Sequence, residues 1–326
     1  MMKQDRLALI CGVGALSEKV REVAKEKYPN HTPYCISGLL DGQSGIWGER
    51  ERRDRLSTPI HPFRFQDMGD HLLKGGSTSA FFVGDLPLQQ LVPSQEYELA
   101  TRRMNPAILS TLVDQRGLHY LGRTSGRPYA RYFQALEALL HDCGVKPRHA
   151  IELFPEFNPR VGDNTKIEMP SAYRLILPQA VERLLEVRDE RDAYGIRPSQ
   201  SAIVAGGEIV AVESDGTDQL LKEYRAQRRR RLPGYLLKVP SVEFNAAFDE
   251  PTIGPHTMDL VAAAGLKGVA VCSEISRVFD LAATVSTANS QGLFLFATSF
   301  TQLRDAYLRR RPNCWAQAFS IAGEPQ

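Results

Sequence analysis

Five apolar residues in succession, "LALIC" at positions 7–11, open the readable pattern of the chain. Such a run suits a strand covered on both faces. A glycine turn, Gly12-Val13-Gly14, follows, and then "ALSEKVREVAKEK", whose apolar residues recur at helical spacing with Ser17 placed to cap the helix. "TPYCIS" and "SAFFVGDLP" read as further strands, and residues 66–75 and 129–142 as helices. Strands alternating with helices predict a Rossmann-like, mostly parallel sheet.

The texture changes after "DCGVKPRH", residues 142–149, where Gly and Pro follow a helix and suit a domain boundary. "SAIVAGGEIVAVES" is two strand-like runs joined by Gly206-Gly207, a hairpin signal. A helix from about Asp218, the strand "GYLLKVP", a helix starting near His256 and the strand "GLFLFAT" complete the series. The expected fold class is therefore α/β in two domains. Residues 1–147 form a Rossmann-like N-terminal domain, and 148–326 a second α/β domain.

Composition fits this picture. A length of 326 residues exceeds one average domain, and 43% hydrophobic with 24% charged residues can bury a sizeable core. A net charge of +2 gives no argument for nucleic acid as a partner. The basic runs Arg228–Arg231 and Arg309–Arg311 read either as solvated helix ends or as anion contacts. Five cysteines without a CxxC pair fit a reducing compartment. The first residues lack the pattern of a secretion signal, and no stretch approaches the roughly 18 apolar residues needed to cross a bilayer. The expected location is cytoplasmic, with attachment to a membrane surface left open.

Three stretches carry candidate chemistry. Gly12 and Gly14 stand where a turn would aim helix amides at a phosphate. The dinucleotide fingerprint is incomplete: position 17 is Ser, and the strand "YCIS" ends without a ribose-binding acid. A nucleotide or phosphate other than NAD, NAD itself, and a purely structural turn all remain readings of this motif. "VESDGTDQLL" places Glu213, Asp215 and Asp218 around a Gly216-Thr217 step, directly after a strand. Crowded carboxylates repel, so the turn is either an acidic helix cap or a holder of Mg²⁺, which takes oxygen ligands and bridges phosphates. "FDEPTIGPHTMD" again gathers acids, a hydroxyl and turn amides through Asp249, Glu250, Thr252 and Gly254. His256 reads as a helix-start residue.

Taken together, "AIVAGGEIVAVESDGTDQLL", "GYLLKV", "FDEPTIGPHTMDLVAAAGLKGVAV" and "NSQGLFLFAT" resemble the LpxI family, the UDP-2,3-diacylglucosamine pyrophosphatases of lipid A biosynthesis. The opening "LALICGVGALS" is similar to that family's glycine turn. The resemblance spans about residues 195–297 and the first 17, and is thin between 40 and 145. It implies a Rossmann-like N-terminal part, a C-terminal part peculiar to the family, and magnesium-dependent hydrolysis with water attacking the α-phosphorus to give UMP and lipid X. Glu213, Gly216, Thr217 and Asp218 match the family's acidic turn, Gln200 a glutamine before the hairpin, and Lys238 a lysine after the next strand. Asp249, Pro251, Thr252, Ile253 and Gly254 match its Asp-x-Pro-Thr-Ile-Gly.

By this resemblance Asp249 is the catalytic residue, as water-orienting carboxylate or metal ligand, and Glu213 and Asp218 are metal ligands or ribose contacts, so that Glu213, Asp218 and Asp249 make the expected metal set. Gly12, Gly14, Gln200, Gly216, Thr217, Lys238, Thr252 and Gly254 bind substrate. The implied partner is a UDP-2,3-diacylglucosamine-like acylated nucleotide-sugar, with contact to the inner membrane and a homodimer as open expectations. The chain departs from the family pattern where Ser241, Asn245 and Ala247 replace a lysine, an aspartate and an arginine. Pro198, Ser199 and Asn289 depart as well. These losses favour an alternative expectation, a catalytically impaired paralogue that binds the ligand in a binding or regulatory role.

Overall fold

The structure is a computed structural model. It describes residues 6–12, 15–36, 58–60, 63–83, 113–124, 128–191, 199–214, 216–227, 232–239, 247–248, 252–274, 276–299 and 301. The chain is α/β and divides into two compact units. Unit 1 comprises Met1–His149 with Ala247–Asp249, and unit 2 comprises Ala150–Ala246 with Glu250–Gln326.

Unit 1 is built on a parallel sheet in the order β3-β2-β1-β4-β5, the order of doubly wound folds. Its strands are β1 (Leu7–Cys11), β2 (Thr32–Ile36), β3 (Thr58–Ile60), β4 (Ser79–Val83) and β5 (Lys146–Pro147). Both β1 and β4 are buried at every position, β1 as an unbroken apolar run and β4 apolar after Ser79. Among the described residues, its helices are α1 (Ala15–Lys27), α2 (Phe65–Lys74), α3 (Gln115–Gly122) and α4 (Pro128–Asp142). Ser17 is not the cap of α1. It lies inside the first turn, and its buried hydroxyl donates to the Val83 carbonyl, tying the helix to β4. Phe248, from the returning segment, packs its ring 5.0 Å from Phe82 and 5.4 Å from Phe133.

Unit 2 starts with α5 (Ala150–Leu153), a 3₁₀ turn at Pro155–Phe157, β6 (Gly162–Asp163) and the long α6 (Ser171–Arg191). The hairpin β7 (Ser201–Ala205) and β8 (Glu208–Val212) follows. Gly206 and Gly207 both take positive φ, +62° and +89°, as a turn between right-twisted strands requires. Then come α7 (Thr217–Ala226), β9 (Gly234–Lys238), β10 (Thr252–Ile253), α8 (Pro255–Ala263), β11 (Gly268–Cys272), β12 (Arg277–Val278), α9 (Leu281–Ser290) and β13 (Phe294–Thr298).

The six-stranded sheet of unit 2 runs β6-β13-β11-β9-β7-β8, with β13, β11 and β9 mutually parallel and β6, β7 and β8 antiparallel to their neighbours. Strand alternation divides its side chains between two layers. Tyr235, Leu237, Ala270 and Phe294 meet α6, whereas Leu236, Val269, Val271 and Leu295 meet the layer holding α7, α8 and α9. Burying each such leucine stabilises the fold by about 1.5–3 kcal/mol. Among the described residues, no helix is long and apolar enough to cross a membrane.

Candidate functional site

The apolar face toward α7, α8 and α9 ends in polar residues. Ile203 and Leu236 belong to that layer, and two positions further along the same face of their strands stand Ser201 and Lys238. They oppose each other in the ladder, and Lys238 opposes Val271 on the other side. Ser273 and Ser299 follow directly after β11 and β13, with the Ser273 N–H donating to Thr298 O at 2.9 Å. The polar row therefore lies at the carboxyl ends of three parallel strands, the edge where open α/β sheets bind ligands.

Thr217, the first residue of α7, is the centre of this row. Lys238 Nζ donates to its hydroxyl at 2.7 Å, Ser201 Oγ lies at 2.8 Å, and the hydroxyl reaches Glu213 Oε2 at 3.2 Å. Glu213 and Lys238 are both buried, at 4% and 7% exposure. The Glu213 backbone is pinned on both sides: its N–H donates to Ser201 O at 2.9 Å, and its carbonyl accepts the Ser199 hydroxyl at 2.7 Å. Gln200, buried at 2%, accepts the Val239 N–H through its carbonyl. Gly216 enters α7 at φ +95° and, as a glycine, offers no side chain to cap the helix, whose first N–H groups point out from its end.

Glu213 and Asp218 are not crowded together. Glu213 turns inward to Thr217, whereas Asp218 points outward, half exposed, with its Oδ2 3.5 Å from His256 Nε2. That contact brings the two C-terminal motifs together, because His256 is in the first turn of α8. Gly254 caps α8 from an extended conformation, its N–H donating to the Thr257 hydroxyl. Thr252 pairs with Arg277 across the short parallel ribbon β10–β12, and Arg277 is buried at 3% exposure. The Glu274 carboxylate accepts the hydroxyls of Ser273 and Ser299. Asp215, Asp249, Ser241 and Asn245 lie outside the described residues.

Comparison with known proteins agrees with this geometry. Residues 191–296, which hold β7 to β12 and the first three residues of β13, match the LpxI C-terminal domain. Over these residues the chain is similar to the LpxI family. UDP-2,3-diacylglucosamine pyrophosphatase LpxI of Caulobacter vibrioides is 33% identical over 123 residues, covering 35% of this chain and 43% of that protein. The chain thus spans less than half of that relative's length.

Within the matched residues, sequence reasoning found Lys238 but missed Ser201, Arg277, Glu274 and Ser299. Ser201 was findable, as a polar residue at a position whose strand alternation points it at the core. Two of the departures from the family pattern serve the fold: Ser199 holds Glu213, and the Asn289 side-chain oxygen accepts the Lys166 N–H at 2.7 Å. Ala247 is fully buried beside Phe248 in unit 1. Also in unit 1, Gly12 donates its N–H to Val83 O at 2.7 Å, so that amide joins strand to strand, and Gly14 lies outside the described residues.

No three metal-ligating side chains converge among the described residues. Glu213 is engaged by Thr217, and Asp218 by His256. The described residues alone do not make a magnesium site. What they make is a concentration of donors of the kind that recognises an anion: a buried ammonium and the glycine-led start of a helix.

Proposed function

We propose that the strand edge of unit 2 binds the diphosphate of a UDP-linked acylated sugar such as UDP-2,3-diacylglucosamine, and that the protein hydrolyses it to UMP and lipid X in lipid A biosynthesis. The observation that carries this reading is the buried Lys238 ammonium at the carboxyl ends of the three parallel strands, beside the glycine-led start of α7, within the residues that match the LpxI C-terminal domain. A diphosphate carries its negative charge where these donors are concentrated. As water attacks the α-phosphorus, charge grows on the phosphoryl oxygens and on the departing bridging oxygen. Fixed donors stabilise that charge without having to reorganise, and losing one such donor costs about 3 kcal/mol of barrier.

Asp249, three residues before Thr252, is proposed to orient the water. Mg²⁺ belongs to the same proposal, with Asp249 and the half-exposed Asp218 as its ligands. When bound, the ion would supply charge neutralisation at the phosphates. The proposed setting is cytoplasmic, with peripheral contact at the inner membrane where an acylated substrate resides.

Purified full-length protein incubated with UDP-2,3-diacylglucosamine, with Mg²⁺ and separately with a chelator, tests the reading. UMP formation supports hydrolysis, and its loss on chelation supports the metal. Binding without UMP would leave a protein that recognises the nucleotide-sugar lipid without cleaving it. Neither binding nor UMP sinks the assignment.

A further inference from the structure

We propose that Thr217, Glu213 and Ser201 form a positioning unit for Lys238, so that the acid and hydroxyl of this turn serve the lysine rather than touching ligand or metal. The inference deepens the diphosphate reading and rests on it only for what Lys238 does to the ligand.

A threonine hydroxyl has one proton to donate and two acceptor lobes. An ammonium has no acceptor, so Lys238 Nζ, at 2.7 Å, fills one lobe. An ionised carboxylate only accepts, so the Thr217 proton points to Glu213 Oε2 at 3.2 Å. Ser201 Oγ, at 2.8 Å, must then be the donor into the second lobe, which settles the direction of a contact that either hydroxyl could otherwise donate. Every valence of the Thr217 side chain is met inside the protein. Contact between residue 217 and a phosphate therefore falls to its backbone N–H in the first turn of α7.

The unit addresses a physical difficulty. Lysine has a long, flexible stem and a compact charge, and a buried ammonium needs both a counter-charge and a fixed direction. Glu213 supplies counter-charge through the shared hydroxyl. It can do so rigidly, because its own backbone is held by Ser199 and Ser201. A carboxylate turned inward and fixed in this way is placed to balance Lys238, whereas a metal ligand must face the ion.

The experiment uses the full chain in T217V, T217S, E213Q and K238M forms, with T217V/K238M as the double variant. UDP affinity is read by calorimetry without metal, and UMP release is then measured against Mg²⁺ concentration. Loss of a hydrogen bond to a charged group predicts that T217V weakens UDP binding about tenfold or more. T217S restores it to within about twofold, and T217V adds nothing in the K238M background. E213Q raises KM while its half-saturating Mg²⁺ concentration stays at the wild-type value.

A ligand-free arm reads reductive methylation of Lys238 by mass spectrometry. T217V increases labelling several-fold, and T217S does not. If wild type neither binds UDP nor releases UMP, the diphosphate reading falls while the labelling arm still tests the positioning unit. T217S behaving as T217V, T217V and K238M adding independently, unchanged labelling in T217V, or a large shift of Mg²⁺ dependence in E213Q would each overturn the inference.

Discussion

Tyr235 offers a test in which chemistry predicts a gain of stability on removing an atom. Its side chain is fully buried in the layer beneath α6, and its hydroxyl has no hydrogen-bond partner among the described residues. Burial pushes the phenol well above the ordinary tyrosine range, as expected where a charged form would lie in an apolar layer. The ring itself is well used, with centroids 5.2 Å from Tyr173 and 6.1 Å from Phe294. Tyr235→Phe keeps the ring and deletes only the oxygen. A buried, unsatisfied polar group costs about 1–3 kcal/mol, so the variant should gain about 1 kcal/mol at the lower end of that range. For a domain of this size the melting temperature should rise by about 2–4 °C.

Two companion variants give the sign its meaning. Tyr34 in unit 1 donates its hydroxyl to His71 O at 2.9 Å, so Tyr34→Phe makes the same chemical deletion where the bond exists and should lose about 1 kcal/mol. Tyr235→Ala removes the ring as well and should cost about 3–5 kcal/mol. Urea unfolding followed by far-ultraviolet circular dichroism measures all three. A Tyr235→Phe variant less stable than wild type would refute the reasoning and reveal a partner for the hydroxyl.

Three further outcomes follow from local geometry. A Cβ at Gly268 would lie 2.3 Å from Phe294 O, in the parallel pairing of β11 with β13, so Gly268→Ala should destabilise unit 2 by about 1–3 kcal/mol in the same denaturation assay. Asp280 holds φ +44° and accepts the Ala283 N–H at 3.0 Å, so Asp280→Ala should cost about 1–2 kcal/mol, while Asp280→Asn retains most of the cap. The Tyr120 hydroxyl, donating at 2.7 Å, lowers the Asp142 carboxyl below its ordinary range. That contribution is present above the unfolded-state value and lost as pH falls through the folded one. Tyr120→Phe should therefore flatten the stability-versus-pH curve below about pH 4, measured by thermal melts across pH.

Much of this fold can be read from periodicity. The runs at β1, β4, β9, β11 and β13 are largely apolar, interrupted only at strand ends by Ser79, Lys238 and Thr298, and the Gly206-Gly207 turn gives its hairpin away. Helix α6 is harder to read. Pro178 sits inside it, and a proline interrupts the ordinary helical signal even though Leu177, Val181, Leu184 and Leu185 keep helical spacing around it. The ribbon β10–β12 is two residues per strand, too short for alternation to register. The site was legible as motifs but not as geometry. Sequence put Glu213 and Asp218 side by side, whereas the start of α7 turns one inward and one outward. Ser201 and Arg277 are brought to the motifs by strand register, which spacing along the chain does not encode.

The account depends on Lys238 making the strand edge of unit 2 a diphosphate site. Turnover of UDP-2,3-diacylglucosamine in ¹⁸O-labelled water, with wild type and Lys238→Met assayed side by side, tests this most directly. The predicted result is UMP carrying one ¹⁸O on its phosphate from wild type, with release by Lys238→Met slower by about a hundredfold. Labelled UMP released equally fast by both proteins would contradict it.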